Sequence, residues 1–477
     1  MGSDTWNLAK FISEVDYNDL PEEVKEKVKN ILLDSIGCAL GGYCTDKAKI
    51  MMGFVREMGG KPQASVIGGG KTSANLAAFA NGELINSLDW DCIGPLQPHV
   101  IPFVLPPCIA VAEINHSTGK ELILAAALAI EIGGRMGASV LQNRETISEA
   151  PYYKLSPRYS YSPAVFGGSA GACKILKMDT TKIANALGIS GVSAPVAGMM
   201  KWQHIEGPSP MLKYNSWAGW IAQLGVTSAL LANRGFTSDA SVLDGDYGFW
   251  KMYGSPFFRK EVLFGDLGKS WVVMETEYKP YPSCRCNHGA IDGIVKLMNQ
   301  NGISPEQISE IRVFGDSWLL HPSRSQTSIE GSVDTCFSVA YTFAMAAFFG
   351  GNPGPHWTMP IVYKDQRILE MMKKVKVDVF PDADNIILKN LKSGKAPVLW
   401  LARVEITANG KKYTTEVLEP WGKGENVFTE KDIEKKFFQN ASFSPVPLPK
   451  SQEIVKEMKK LESKKDVSEI MALTRSE

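Results

Sequence analysis

The sequence predicts a mainly α protein with a second, smaller α+β domain. Three observations lead there: a length of 477 residues, helical apolar periodicity through the first half, and a change to β-branched and aromatic runs near Lys269. A chain of that length exceeds what one hydrophobic core organises, so two domains are expected. Pro21 followed by Glu22 and Glu23 marks a helix start, and Val24, Val28, Ile31, Leu32 and Ile36 keep one apolar face until Gly41-Gly42. Similar helices are predicted over Leu76–Leu88, Glu121–Leu141, Pro163–Leu176, Thr181–Ile189 and Ser216–Asn233. The small-residue run Gly167 to Ala172 lets helix axes approach closely. Residues 1–268 therefore read as the first part of an all-helical domain.

Residues 269–420 read as the α+β domain. Strands are predicted at Ser270–Tyr278, Ile308–Phe314, Val375–Phe380 and Trp400–Thr407, the last joined through Asn409-Gly410 to Lys412–Val417 as a hairpin. Helices are expected at Ala290–Asn299 and Phe337–Phe349. From 421 to 477 the chain becomes helical again, with Thr429 as an N-cap and amphipathic stretches at Ile454–Leu461 and Val467–Leu473 that should return to the first domain.

Charge and targeting signals narrow the function classes. Lys+Arg and Asp+Glu number 51 each, so no global field gathers nucleic acid or an anionic membrane surface. The N-terminal MGSDTWNLAKF lacks a basic region and an apolar run, which predicts a cytoplasmic protein. Glu121–Leu141 is the most apolar stretch, but Glu131, Arg135 and Gly133-Gly134 interrupt it, so a buried helix is expected and no membrane span. Eight scattered cysteines in a cytosolic context predict thiols, and a lone C-x-C without a second ligand pair predicts no metal.

Four segments carry polar residues that packing alone does not require. Asp89 and Asp91, followed by His99, form a candidate general acid/base group at a helix end; the alternative is that the carboxylates satisfy exposed backbone donors. Lys201, set between bulky residues with His204 and Lys213 nearby, suits carboxylate binding or proton shuttling, or is an ordinary surface lysine. Lys279-Pro280-Tyr281-Pro282-Ser283-Cys284-Arg285-Cys286-Asn287-His288 crowds cations, thiols and a histidine at the start of a helix whose amides favour an anion. Buried small hydrophobes and a capping or core histidine are the alternatives there. Trp318 to Pro322, ahead of Asp334 and Cys336, is the weakest of the four, and packing explains it as well.

Several stretches occurring in one order resemble signatures of the MmgE/PrpD family. These are LLDSIGCALGG at 32–42, NGELINSLDWD at 81–91, the histidine of QPHVIP, KWQH at 201–204, GFTSDASVLDGDYGF at 235–249 and KPYPSCRCNHGAIDG at 279–293. The resemblance spans most of the chain. It implies a large helical domain with an α+β lid, a homodimer, an active site in the cleft between the domains, and no metal or organic cofactor. It also implies a small-molecule carboxylate substrate: members dehydrate 2-methylcitrate, decarboxylate cis-aconitate, or epimerise iminodisuccinate.

Carried over by position, the resemblance makes Asp89, His99, Lys201 and Lys279 the leading catalytic candidates. His204 and His288 match further family histidines and, with Trp318, are candidate substrate-binding residues. The departures are informative too. Compared with cis-aconitate decarboxylases, this chain has Ile93 in place of a threonine, Tyr159 or Tyr161 near a missing histidine, Cys284 in place of a histidine and Trp318 in place of a tyrosine. The expected function is a cofactor-independent lyase, most simply a hydro-lyase on a 2-hydroxy polycarboxylate. In that reading Lys201, Lys279 and Arg285 bind carboxylates, Asp89 or His99 takes the proton, and Tyr159 serves as acid. An epimerase using Cys284 opposite His99 or Lys201, a decarboxylase, and a carboxylate-binding protein without turnover are the alternatives.

Overall fold

The structure is a computed structural model. It describes residues 3–94, 96, 99–140, 161–195, 209–212, 217–380, 383–385, 401–423 and 426–476, with the backbone alone at 144–145 and 154–155. Buried apolar side chains form two cores. The larger runs from Leu8 to Tyr278 and is rejoined by Val333, Cys336, Phe337 and then Ile433 to Met471. The smaller runs from Tyr281 to Ala408. The two part around Lys279, so the chain crosses from one core to the other at a candidate site residue.

The helical body is built from Glu22–Gly42, Ala74–Asn86, Ile101–Ile114, Gly119–Val140, Val165–Ile175, Thr180–Ser193 and Ala218–Asn233 among others. Pro21 stands just before the first of these and Gly42 ends it. Gly119–Val140 has the length and hydropathy of a membrane span, but 94% of its most apolar window is buried inside the protein. The small-residue run acts as expected: a Cβ on Gly167 would come within 3 Å of the Ala129 carbonyl and the Gly133 backbone, so this contact requires glycine. Ile101–Ile114 is a helix the sequence reading omitted, because Pro102, Pro106 and Pro107 argue against one. Pro102 lies in the first turn, where its missing N–H costs nothing, and the other two are fully enclosed.

The smaller domain holds a four-stranded sheet in the order Val375–Val379, Ile308–Gly315, Ala402–Ala408, Lys411–Val417. The first pair is parallel and the others antiparallel. Asn409 and Gly410 both take positive φ, 52° and 73°, which is the tight hairpin the dipeptide predicts. His288–Asn301 packs on this sheet.

One expectation is corrected and one boundary shifts. Ser270–Tyr278 is not a strand. Val272–Glu275 forms a 3₁₀ turn, with Trp271, Val272 and Val273 buried and the Val272 amide donating to Glu131 Oε2 at 2.7 Å, so tertiary burial overrides β propensity. The helix expected at Phe337–Phe349 forms as Val339–Phe349, and Ser332–Phe337 is a separate short helix before it. They break at Ser338, whose hydroxyl caps Val339–Phe349 by accepting from the Tyr341 amide.

The C-terminal segment returns to the helical body. Glu430–Ala441 packs on Glu22–Gly42, with Thr429 and Asp432 forming a reciprocal capping box. From this helix Lys436, fully enclosed, donates to Asp34 Oδ1 at 2.7 Å and to the Trp90 carbonyl at 2.6 Å. The Cys92 and Cys38 thiols point at the other Asp34 oxygen, at 3.1 and 3.7 Å.

Candidate active site

The turn after Ala74–Asn86 carries the acidic residues. Asp89 has φ of 52° and His99 φ of 60°, a left-handed conformation that side chains with a Cβ rarely adopt. Such strain persists where the surroundings over-determine the backbone, and here Lys436 holds the Trp90 carbonyl between the two aspartates. Asp89 and Asp91 are completely buried and His99 is 4% exposed.

These side chains form a connected row. Lys279 Nζ donates to Asp89 Oδ1 at 2.8 Å and to the Asp89 carbonyl at 2.7 Å. His99 Nε2 lies 3.6 Å from Asp89 Oδ1, and His99 Nδ1 is 2.8 Å from Asp91 Oδ2. Asn86 Nδ2 donates to Asp91 Oδ1 at 3.2 Å. A carboxylate on Nδ1 selects the Nδ1–H tautomer, which leaves Nε2 as the basic nitrogen on the Asp89 side. Burial alone would draw the Lys279 ammonium down, but Asp89, Asp91 and Cys284 outweigh it and hold it above the ordinary lysine value. Asp89 takes two of its three N–H donors.

By ligand type and spacing Asp89, Asp91 and His99 could hold a cation, since one donor atom from each lies within 4.8 Å of the others. The fit is poor. The Lys279 ammonium already neutralises Asp89, and Asp91 already engages the His99 ring, so an ion would have to displace both contacts.

A second wall comes from residues 284–336, of which Cys284 and Cys336 pack against the larger core. The Cys284 amide donates to the Cys336 carbonyl at 3.0 Å, and the Cys336 thiol reaches the Leu88 carbonyl at 3.5 Å, tying this wall to the Asp89 turn. The Cys286 thiol donates to Cys284 Sγ at 3.3 Å. That hydrogen bond holds the Cys284 thiol well below the usual thiol range; burial opposes it, and the nearby Arg324 and Lys279 charges assist. Cys286 moves the other way, raised by burial and by Cys284. Trp318 is buried against His321, with ring centres 4.3 Å apart, and lies under the Arg324 guanidinium at 5.6 Å.

The structure thus brings Asp89, Asp91, His99 and Lys279 together, with Cys284 close enough for its charge to act on Lys279. Lys201, His204 and Tyr159 lie outside the described residues. Tyr161, the other tyrosine of that segment, is buried edge-on to His99 at 5.9 Å and stacked on Phe103. Ile93 is 9% exposed and its backbone bridges to Glu277.

Arg285 and His288 are turned to a different task from the substrate binding expected of them. Arg285 bonds Glu277 at 3.0 and 3.1 Å, the Trp421 carbonyl at 2.8 Å and His288 Nδ1 at 3.1 Å. His288 Nε2 donates to the Ser283 carbonyl at 3.1 Å. Burial first, then the Arg285 and Lys279 charges, push His288 well below the usual histidine value. Both side chains are spent on holding the 279–288 loop in shape. Sequence reasoning missed Arg324, an isolated arginine in a serine-rich loop with no motif around it.

Comparison with known proteins places the fold. The MmgE/PrpD N-terminal domain model matches residues 6–259 and the C-terminal domain model residues 281–461. The chain belongs to the MmgE/PrpD family. Its two-domain architecture, mainly α with a smaller α+β domain, is that family's. Curated relatives include a cis-aconitate decarboxylase-like protein, oryM, of Aspergillus oryzae, 24% identical with 100% of this chain and 98% of the relative covered. A cis-aconitate decarboxylase of Homo sapiens is 24% identical, covering 98% and 94%. One from Aspergillus terreus is 28% identical over 62% of this chain and 60% of the relative. The Homo sapiens and Aspergillus terreus relatives are lyases by name.

Proposed function

We propose that this chain is a lyase for a small di- or tricarboxylate, in its simplest form a hydro-lyase acting on a 2-hydroxy polycarboxylate. The observation that carries the reading is the buried row Lys279, Asp89, His99, Asp91: a base oriented by one carboxylate, next to a cation whose third N–H can face a substrate carboxylate. In the forward step His99 Nε2 takes the proton from the carbon next to a carboxylate. The electron pair left behind becomes the carbon–carbon double bond as the C–O bond breaks, and the hydroxyl leaves as water after accepting a proton. A tyrosine of the 159–161 segment is the candidate acid, and Tyr161 lies beside His99. Lys279 offsets the negative charge that gathers on the carboxylate as the proton leaves.

Dehydration is favoured over decarboxylation by the same departures from the decarboxylase pattern: an apolar Ile93, a thiol at 284 and an indole at 318. A second reading, epimerisation, has one specific support. The Cys284 thiol, held low by Cys286, Arg324 and Lys279, offers a second proton-transfer group near Lys279, and two-base proton exchange at one carbon requires such a group.

The test is proton NMR of the protein in deuterated buffer with a panel of di- and tricarboxylic acids. Dehydration yields an olefinic product, decarboxylation a product one carbon shorter, and epimerisation deuterium at the α-carbon of an otherwise unchanged skeleton. Olefin formation from a 2-hydroxy acid supports the proposal. Exchange alone moves the assignment to the second reading, and no change with any acid overturns both.

A further inference from the structure

Arg324 stands on the loop after the Trp318 turn, and its position is heavily determined. Its amide donates to the His321 carbonyl at 2.7 Å, and its carbonyl accepts from the Val339 amide at 2.9 Å at the start of Val339–Phe349. The guanidinium lies over the Phe337 ring at 5.0 Å and the Trp318 ring at 5.6 Å, between two aromatic faces that fix its plane. The residue is 4% exposed, yet Nε and Nη1 find no hydrogen-bond partner among the described residues.

A buried guanidinium with unmade hydrogen bonds is costly unless something else completes it. The guanidinium is close enough to Cys284 for a hydrogen bond and for its charge to act on that thiol first, then on Cys286 and Asp89, so it shares the neighbourhood of Cys284 and the Asp89 turn. A thiolate is a single point of charge. The planar fork of an arginine matches two carboxylate oxygens, and a lysine does not reproduce that match.

We infer that Arg324 binds a carboxylate of the substrate through its Nε and Nη1 edge, fixing the end of a polycarboxylate remote from Lys279. This rests on the polycarboxylate reading above and adds a second cationic anchor on the smaller domain. A substrate held by both Lys279 and Arg324 needs at least two carboxylates, which disfavours monocarboxylates.

The experiment is calorimetric titration with tricarballylate, a saturated tricarboxylate that has no hydroxyl to lose, into the wild-type protein and into Arg324→Gln and Arg324→Lys. The expected result is binding by wild type and a loss on the order of 10- to 100-fold in Arg324→Gln, the range for one charged hydrogen-bonded contact. Arg324→Lys should recover part of that loss, which a purely structural defect would not allow. Wild-type-like affinity in Arg324→Gln overturns the assignment and leaves the polycarboxylate reading intact. If Arg324→Gln does not fold, Arg324→Lys decides: a several-fold weakening supports the fork, and unchanged affinity overturns it. Failure of wild type to bind tricarballylate, together with no turnover of any panel acid, overturns the polycarboxylate reading itself and this inference with it.

Discussion

Asp91→Asn is the sharpest test of the proposed base. The new side chain is the same size, but its orientation is decided by Asn86, whose Nδ2 donates to the Asp91 Oδ1 position at 3.2 Å. An asparagine amide at this position must turn its oxygen toward that donor, which places its NH₂ group where Oδ2 now meets His99 Nδ1 at 2.8 Å. The imidazole is then driven to accept at Nδ1 and to carry its proton on Nε2, so the nitrogen assigned as base is blocked. A second loss adds to this. A carboxylate about 4 Å from a developing imidazolium stabilises it by roughly 4 kcal/mol at an effective dielectric of about 20, and about half of that when the charge is half formed. A loss of about 2–4 kcal/mol corresponds to a fall of roughly 30- to 1000-fold in kcat. Tricarballylate affinity should stay within a few-fold of wild type, since Asp91 touches the base and not the cations. The assay is NMR turnover of the acid that wild type converts. A kcat within threefold of wild type would refute the Asp91–His99 assignment.

Three further outcomes follow from the geometry. His288 is held below the ordinary histidine value of 6.5, so as pH falls the unfolded chain takes up the proton first. Its share of stability is complete above about pH 6.5 and declines below it, at no more than about 1.4 kcal/mol per pH unit, so His288→Gln should flatten the drop in urea midpoint between pH 7.5 and 5.5; an unchanged slope refutes the role. Cys284 should react with iodoacetamide with a midpoint below the ordinary thiol value, and Cys286→Ala should raise that midpoint because the first cause of the low value is removed. Mass-mapped alkylation rates against pH decide it, and an unshifted midpoint in the variant counts against the thiol pair. Lys436→Met should destabilise the fold by about 3–5 kcal/mol by leaving Asp34 buried without its cation, with Asp34→Asn recovering part of the loss; denaturant unfolding measures both.

What could be read from the sequence was set by local chemistry. The Thr429 cap, the Asn409-Gly410 hairpin and the Pro21 helix start depend on residues within a few positions of one another, and each forms where expected. Asp89, His99 and Lys279 could be named from their motifs, but the link between Asp89 and Lys279 joins positions 190 residues apart and is visible only in the fold. The same limit explains Arg285 and His288. Their crowding at a helix start looked like an anion site, yet Glu277, Trp421 and Ser283 satisfy them. Arg324 had no local signal, since its importance comes from Phe337, Trp318 and Cys284 folding around it. The helix Ile101–Ile114 escaped notice because its prolines oppose a helix locally, while burial on all sides enforces one.

Lys436 meets the Trp90 carbonyl across 346 residues of chain, and that span bears on how the protein matures. While the chain is being synthesised, the acidic turn is made early and its clamp arrives near the end, after the whole smaller domain has emerged. Before then the Trp90 carbonyl and Asp34 lack their shared cation, so the turn that carries Asp89 is without one of its clamps. The acidic turn is therefore completed late, by a residue that follows the whole smaller domain in the chain.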